Sequence, residues 1–386
     1  MKNLPPNVWI LTSSQALMMS INSMVVFVGG ILGARLAPEE KLATLPTAVI
    51  IVGTALSTVP VTMLMRKFGR KQIFLGVAIY SAILALVVSY AIYLEDFIML
   101  CVSMMLFGVT SATIQQFRFA AMESVNAEQT ASAASTVLIG GIAAAFIGPE
   151  IAVFGKDLMH SEFAGSFVLV SGLFLIGLFL LLGFKNPEVK AVHTRDTGRS
   201  LKQIARQGKF WVAVVGALVG YAVMSFVMTA TPIGMHVIDK HSLESTKFVI
   251  QSHILAMFIP SFLTGWLIKR LGIYKMMIAG VVLFALCIAI GVNGDSLTHY
   301  WLSLVLLGVG WNFLFVGGTS LLPQTYETRE KFKVQALNEF IIFGGQAVAA
   351  LSAGWFIYAV GWETMLMFCA PFLIFFLLIM GFAKRA

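Results

Sequence analysis

The sequence predicts an all-α membrane protein that crosses the bilayer twelve times, as two six-helix halves. Three observations support this prediction. The chain of 386 residues is 59% hydrophobic and 11% charged, whereas a typical soluble domain has about 25% charged residues. Apolar runs of about 20 residues recur, each long enough to cross the hydrocarbon core as a helix. One polar stretch, residues 185–209, separates two apolar regions of similar length.

The apolar runs favour helices over the strands of a β-barrel. Inside lipid every backbone polar group must be satisfied within the protein, so only helices and closed barrels span a membrane. Barrel strands alternate polar and apolar residues over about ten positions, and these runs are continuously apolar. The twelve predicted spans cover residues 8–33, 44–65, 72–93, 97–119, 129–153, 163–184, 210–234, 248–268, 274–293, 299–322, 334–358 and 363–383.

The polar stretch reads KNPEVKAVHTRDTGRSLKQIARQGK and is predicted to be a cytoplasmic connector. It would join an N-terminal six-helix bundle, residues 1–184, to a C-terminal bundle, residues 210–386. Basic residues collect in the cytoplasmic loops of membrane proteins. With both termini inside, most Lys and Arg residues fall on that side. The exceptions are Arg35, Lys41, Lys156, Lys240 and Lys247.

Composition also excludes several classes of function. The net charge of +8 does not indicate nucleic-acid binding, because the basic residues lie in short loops between helices. The three cysteines, Cys101, Cys287 and Cys369, all fall inside apolar runs, so no disulfide framework or metal site is expected. No phosphate loop or catalytic cluster is present, and we expect neither an enzyme nor a cofactor.

Two short motifs that recur in both halves indicate that the halves are repeats. Residues 62–71 read TMLMRKFGRK and residues 265–275 read GWLIKRLGIYK, with two basic residues, a spacer and a glycine in register at an offset of 203. Residues 140–145 read GGIAAA and residues 344–349 read GGQAVA, at an offset of 204. The paired glycines of the second motif, Gly140, Gly141, Gly344 and Gly345, are predicted to be helix-packing faces.

The repeated basic loop resembles the signature of the major facilitator superfamily, and the twelve-span plan matches that family over essentially the whole chain. Residues 228–236, MTATPIGMH, and 253–265, HILAMFIPSFLTG, resemble a bacterial subgroup of it. The resemblance implies a secondary transporter in the bacterial cytoplasmic (inner) membrane, working by alternating access. A monomer and a small organic solute are expected.

The loop departs from the family pattern at three positions. The family usually has an acid where this chain has Arg66 and Lys269, and a glycine where it has Thr62. In the family that acid helps to lock the cytoplasmic gate, and this chain has a basic residue there in both halves. The resemblance assigns a gating role to Arg66, Lys67, Gly69, Arg70, Lys269, Arg270 and Gly272.

In the superfamily, spans one, four, seven and ten line the central cavity. The polar residues that these spans supply are Gln15, Asn22, Gln115, Gln116, Arg118, Tyr221, Ser225, Thr229, Trp311 and Asn312. Amides beside an aromatic ring suit a planar solute that forms hydrogen bonds. For any single residue, bonding between helices is an equally good interpretation. Arg118 in particular could be a cytoplasmic anchor.

Three titratable residues inside spans are candidates for proton coupling: Glu150, Glu339 and His253. Residues Gly148, Pro149 and Glu150 resemble the glycine–proline motif of superfamily exporters, with Ala144 in place of an expected glycine. The alternatives are an interfacial carboxylate for Glu150, a helix cap for Glu339 and an interfacial histidine for His253. We favour Glu150, since a carboxylate beside a kinking proline can change its exposure.

These features predict a secondary active transporter that moves a small organic solute, with protons as the coupling ion and the lipid bilayer as its surroundings. A facilitative uniporter, or a multidrug or metabolite exporter of the same fold, is the alternative within this class. A non-transporting membrane sensor is the alternative from another class. No nucleic-acid partner and no metal are expected.

Overall fold

A computed structural model describes residues 4–126, 129–186, 198–327 and 330–383. Every regular element in these ranges is helical. The prediction of an all-α chain is therefore confirmed. The helices are long and apolar, as a chain that must satisfy its own backbone in lipid requires.

Eight helices make up the six spans of the first half. They are α1 (Pro6–Met18) and α2 (Ser20–Leu36) in span one, α3 (Leu45–Phe68) in span two, α4 (Arg70–Tyr93) in span three, α5 (Phe97–Ile114) and α6 (Phe117–Glu123) in span four, α7 (Thr130–Gly155) in span five and α8 (Ala164–Leu182) in span six.

The second half begins with the one-turn helix α9 (Leu201–Ile204). There follow α10 (Gly208–Pro232) and a π-helical turn (Ile233–Ile238) in span seven, α11 (Leu243–Phe258) and α12 (Ser261–Leu271) in span eight, α13 (Ile273–Gly291) in span nine, and α14 (Leu297–Leu321) in span ten. A 3₁₀ turn (Leu322–Thr325) leads to α15 (Lys331–Met367) and α16 (Ala370–Ala383).

Eleven helical stretches of the described chain are long and apolar enough to cross a membrane. The last of them, Lys333–Ala383, contains 51 residues, whereas about 20 suffice for one crossing. Gly361 interrupts it with a φ of 79° and a ψ of 171°, which no helical residue adopts. This stretch therefore holds the predicted spans eleven and twelve, and the twelve-helix fold is confirmed.

Contacts divide the chain into two compact units, Met1–Lys190 and Ala191–Ala386. In the first unit α1 packs along α7 and α3 along α5. In the second unit α10 packs along α15 and α11 along α14. Span one pairs with five as seven pairs with eleven, and span two pairs with four as eight pairs with ten. The internal repeat in the sequence is thus also a repeat of helix pairing.

The glycines of the two repeated basic loops have the same backbone conformation. Gly69 ends α3 with a φ of 85° and a ψ of 157°, and Gly272 ends α12 with a φ of 85° and a ψ of 154°. This region of backbone space is accessible essentially only to glycine. Conformation, and not only sequence, therefore explains why both loops carry glycine at this position.

Spans one, four and eight are each broken into two helices, where the sequence predicts continuous spans. In span eight the cause is Pro260, which has no N–H to continue the backbone ladder. In span one the hydroxyl of Ser20 donates back to the carbonyl of Ala16 (2.7 Å). In span four Thr113 donates to Val109 (2.8 Å). Back-bonding of this kind bends helices, but it does not by itself break them, since α3 is continuous across the same bond at Thr58.

The tightest contacts of α7 are with span one. A Cβ atom added at Gly140 would lie 2.4 Å from the carbonyl oxygen of Thr12, and one added at Gly148 would lie 2.4 Å from that of Ser20. Both contacts involve backbone atoms, which cannot move aside as a flexible side chain can. Gly140 therefore lies at a close helix crossing, and Gly148, which the sequence connects with a glycine–proline motif and not with packing, provides a second one.

The other three predicted packing glycines meet no backbone of another described helix. A Cβ at Gly141 would meet only the side chain of Met19, at 3.5 Å, whereas one at Gly345 would lie 2.2 Å from the end of the Leu218 side chain, which can move aside. At Gly344 it would meet no atom of the described chain within 4 Å. The packing role of Gly344 therefore stays a prediction.

We expect Gly140→Ala to lower the thermal stability of the purified protein strongly, while Gly141→Ala leaves it nearly unchanged. The added methyl group overlaps a backbone oxygen at the first position and has room at the second. Overpacking of this kind costs about 1–3 kcal/mol. Melting temperatures in detergent would check this, and equal melting temperatures for the two variants would contradict it.

Candidate functional site

A polar strip follows one face of α10 in the second unit. Tyr221, Ser225 and Thr229 are spaced four residues apart, which places them on the same side of a helix. Ser225 is fully buried and Thr229 is 2% exposed. Three candidates taken from span seven therefore share one buried face.

An aromatic cluster lies beside this strip. The ring of Tyr221 packs edge-on against Trp311 (5.2 Å between centroids) and Phe315 (5.1 Å). Trp311 and Phe315 stack on each other at 5.1 Å with an interplanar angle of 16°. Phe343 from α15 completes the cluster, 5.9 Å from Tyr221. Spans seven, ten and eleven therefore meet around flat apolar surfaces.

Gln346 is a functional candidate that the sequence analysis missed. Its side-chain amide donates to the hydroxyl of Ser225 at 2.8 Å, which joins α15 to the polar strip on α10. The sequence feature that points to it is an amide side chain inside an apolar helix, directly after Gly345. The family resemblance does not indicate it, because span eleven is not among the spans that line the cavity in the superfamily.

Two buried polar atoms at the strip have no hydrogen-bond partner within the described chain, the hydroxyl of Thr229 and the indole N–H of Trp311. Trp311 is only 4% exposed. Leaving a buried donor unsatisfied costs about 1–3 kcal/mol. Atoms of this kind, next to flat rings, are suited to bind the polar edge of a planar molecule. We call Tyr221, Ser225, Thr229, Trp311 and Gln346 the aromatic–polar strip.

Asn312 is fully engaged within its own unit. Its amide nitrogen donates to the carbonyl of Met257 (2.8 Å) and to the hydroxyl of Ser261 (2.6 Å), and its amide oxygen lies 2.7 Å from the hydroxyl of Thr264. These partners surround the break at Pro260. Asn312 thus bridges α11 and α12 across that break, where the backbone ladder is interrupted.

The first unit has a counterpart to this crossing at an offset of 204. Gly53 and Gly108 correspond to Met257 and Asn312. A Cβ at Gly108 would lie 2.1 Å from the carbonyl carbon of Gly53, so α3 and α5 touch through their backbones. The same crossing is therefore made by two glycines in one unit and by an amide hydrogen bond in the other.

The candidates in the first unit have mixed surroundings. Asn22 accepts a hydrogen bond from the hydroxyl of Ser111 (2.8 Å). The amide oxygen of Gln15 is buried and without a partner among the described residues. Gln115 is exposed, and Gln116 beside it is half-buried at the break between α5 and α6.

Arg118 is half-buried at the start of α6. Its guanidinium lies over the ring of Phe119, with 4.8 Å between the central carbon and the centroid. Its Nε is buried and has no hydrogen-bond partner in the described chain. The side chain therefore has a donor that is not used within its own unit.

The three titratable candidates occupy different environments. Glu150 is exposed, two residues beyond the close crossing at Gly148, and Glu339 is half-buried on α15. His253 is fully buried, with its Nδ1 2.7 Å from the carbonyl oxygen of Leu304. A carbonyl only accepts, so Nδ1 carries the hydrogen and Nε2 has a lone pair. That Nε2 has no partner among the described residues.

The gating loop of the first unit contains a bidentate ion pair. Arg70 donates from Nε and Nη2 to the carboxylate of Glu123, at 2.7 and 2.6 Å. Lys67 lies near the ring of Phe68 (5.2 Å) and Arg270 near that of Trp266 (5.2 Å), both exposed. The side chains of Arg66 and Lys269 lie outside what the structure describes.

No group of three or more His, Cys, Asp or Glu residues in the described ranges could hold a metal ion. The groups available for chemistry are thus hydrogen-bond donors, flat rings and a few titratable side chains. Such groups can bind and release a solute.

Comparison with known proteins assigns the family. A sequence profile described as "Major Facilitator Superfamily" matches residues 239–385. The riboflavin transporter RfnT of Brucella anthropi is 37% identical over 364 residues, which cover 93% of this chain and 91% of that protein. The uncharacterised MFS-type transporter YddS of Bacillus subtilis is 31% identical, over 85% of this chain and 79% of that protein.

Solved structures agree at the level of the fold. Two crystal structures of a bacterial homologue of the human lysosomal transporter Spinster, in inward-facing conformations, match with TM-scores of 0.73 (occupied) and 0.75 (unoccupied). They cover 98% and 99% of this chain, and 96% and 98% of their own, at 14% sequence identity. The two units repeat two helix pairings, and their loops at Gly69 and Gly272 have the same conformation. Together with these relatives, they show that the chain is a multi-pass membrane transporter that belongs to the major facilitator superfamily.

Proposed function

We propose that this protein moves riboflavin, or a flavin closely related to it, across the bacterial cytoplasmic membrane by proton-coupled alternating access. The buried, unpartnered indole N–H of Trp311, whose ring stacks on Phe315, carries this proposal, and the unpartnered hydroxyl of Thr229 lies on the same face of α10 as Tyr221. A relative named as a riboflavin transporter, 37% identical over 93% of the chain, supports it. Both termini in the cytoplasm and a monomeric state are part of the same proposal.

The aromatic–polar strip suits the chemistry of a flavin. The flavin ring system is flat and apolar on its faces, and carries carbonyl oxygens and ring nitrogens along one edge. Flat rings such as Trp311 and Phe315 gain from offset or edge contacts with another aromatic ring. The indole N–H of Trp311 and the hydroxyl of Thr229 can then donate to acceptors on that edge, which removes the cost of leaving them unpaired.

Two other modes of transport use the same site. A uniporter would equilibrate the flavin without concentrating it, and an exporter would move it outwards. Riboflavin flux in vesicles with and without a pH gradient separates these modes. A sensor that does not transport would bind riboflavin and give no flux. Absence of both binding and flux in folded protein would reject the flavin assignment.

For coupling we propose Glu150. It lies two residues beyond Gly148, where α7 presses on span one, and it follows Pro149, whose missing N–H weakens the helix locally. A change in this crossing would alter the surroundings of the carboxylate. The lone pair on Nε2 of His253 is the alternative proton acceptor, and Glu339 is the third candidate.

We expect Trp311→Phe to weaken riboflavin binding at least about tenfold, because phenylalanine keeps an aromatic face but removes the N–H, worth about one hydrogen bond, and part of the stacking area of the indole. Trp311→Ala should weaken it further. Trp301→Phe is the matched control, since its N–H is also buried without a partner in the described chain but its ring stacks on Phe248, away from the strip. Quenching of riboflavin fluorescence measures binding. Equal affinities for Trp311→Phe and Trp301→Phe would contradict the proposed role.

We expect Glu150→Gln to abolish accumulation of riboflavin driven by a pH gradient and to preserve exchange at equal pH. Glutamine has the shape of the protonated acid and cannot release the proton, so coupling is lost while binding remains. Uptake by reconstituted vesicles measures both activities. If Glu150→Gln still concentrates riboflavin, Glu150 is not the coupling group, and His253→Gln and Glu339→Gln are tested in the same way.

A further inference from the structure

A buried carboxylate holds the end of the connector on the second unit. Glu330 is fully buried and accepts four hydrogen bonds. Its Oε1 accepts from the backbone N–H (2.6 Å) and the Nε (2.9 Å) of Arg199. Its Oε2 accepts from the Nη2 of Arg199 (2.6 Å) and the backbone N–H of Glu327 (2.9 Å). A buried charge is tolerated only when it is paired and hydrogen-bonded in this way.

Further bonds tie the same segment to spans ten and eleven. The carbonyl of Thr325 accepts from the Nη2 of Arg199 (3.2 Å) and from the side chain of Gln207 (2.9 Å). The ammonium of Lys333, at the start of α15, donates to the carbonyl of Arg199. Residues 199–207 thus contact both the end of one span and the beginning of the next.

The segment is also ordered by its own sequence. Ser200 and Gln203 form a capping box at the start of α9, in which each side chain bonds the other residue's backbone N–H. The indole N–H of Trp211 donates to the carbonyl of Ala205 (2.7 Å). Arg199 therefore lies directly before the cap of α9, a short helix held in place by these hydrogen bonds.

The first unit forms its bidentate pair differently. In the first unit Arg70, directly after Gly69, binds Glu123, the last residue of α6 at the end of span four. At the matching position after Gly272 the second unit has Ile273, which carries no charge. In the second unit an arginine from the connector, Arg199, instead bonds Glu330, which lies directly before α15.

We propose that Arg199 is a positioning residue for transport, which bonds an acid at an inter-span loop of the second unit as Arg70 bonds Glu123 in the first. By bonding Glu330 it fixes the loop between spans ten and eleven, and so the point at which α15 begins. The proposal depends on transport by this chain, as inferred above, and not on the identity of the solute.

The pair persists at physiological pH. The Arg199 guanidinium, together with the Glu327 N–H, lowers the pKa of the Glu330 carboxyl from its ordinary value of 4.5 to about 2. The carboxylate in turn raises the pKa of Arg199. A lowered carboxyl pKa stabilises the folded state above the unfolded-state pKa, and this stabilisation is lost as the pH falls towards the folded-state value.

Hydrogen exchange tests the contact itself, without reference to any solute. In Arg199→Gln we expect backbone amides of residues 322–335 to exchange at least about tenfold faster than in wild type, since Glu330 loses its partner. Arg206→Gln is the matched control, because Arg206 is exposed on the same segment. Mass spectrometry of the purified full chain measures the exchange. Equal exchange in the two variants overturns the proposal.

Turnover tests the positioning role. Per folded molecule, Arg199→Gln and Glu330→Gln should each lower the transport rate about tenfold, Arg199→Lys less, and the double variant Arg199→Gln/Glu330→Gln no more than either. Riboflavin affinity, measured by quenching, should stay unchanged. A faster-exchanging loop with normal turnover would reduce Arg199 to a structural contact and overturn the proposal. Failure of riboflavin transport in wild type would instead reject only the flavin assignment.

The pH dependence supplies a further check. The difference in melting temperature between wild type and Arg199→Gln should be constant between about pH 5 and pH 8 and should shrink as the pH falls from about 4.5 towards 2. A difference that vanished already near neutral pH would show that Glu330 is not held ionised by Arg199.

Discussion

The absence of water from the bilayer core is the constraint on which the rest of this structure depends. Because lipid cannot accept or donate a hydrogen bond, each interruption of a helix must be compensated by a side chain. The break at Pro260 illustrates this, since Asn312 bonds both the carbonyl of Met257 and the hydroxyl of Ser261 across it. Under the same constraint, Trp311 and Thr229 stand out because their donors have no partner in the described chain.

The two units satisfy this constraint by different chemistry at equivalent places. The crossing of spans two and four is made by backbone contact at Gly53 and Gly108, and that of spans eight and ten by the amide of Asn312. The first crossing depends on the absence of side chains, and the second on the presence of one particular functional group. A repeated fold thus does not require repeated interactions.

Much of the fold could be predicted from the sequence, because hydropathy and charge act locally. The spans, the connector and the glycines at 69 and 272 follow from run length and from short motifs. The spacing of Tyr221, Ser225 and Thr229 placed them on one face of α10. What could not be predicted depends on distant partners. The pairing of Arg199 with Glu330 joins residues 131 positions apart, and no pattern near either residue indicates it.

Asn312 shows the same limit for a single residue. The sequence places it on a cavity-lining span, and only the contacts reveal that its amide is occupied by its own unit. Gly140 and Gly141 are adjacent in one motif, yet only the first touches backbone. Gly344 fits the motif and faces no described neighbour. Motifs identify a helix face, whereas the contact made by each position depends on how neighbouring helices are rotated.

Both ends of the connector are fixed, each to its own unit. Asn7 exchanges two hydrogen bonds with the backbone of Lys185 (2.8 and 3.0 Å), and Asn186 accepts from the N–H of Lys71 (2.8 Å). At the other end Arg199 is bonded to Glu330. A circular permutant that joined the chain's present termini and opened the connector would keep all its membrane helices. Lys185, Asn186 and Arg199 would then lie close to the new chain termini. The connector therefore makes structural contacts of its own at each end and is not only a tether between the bundles.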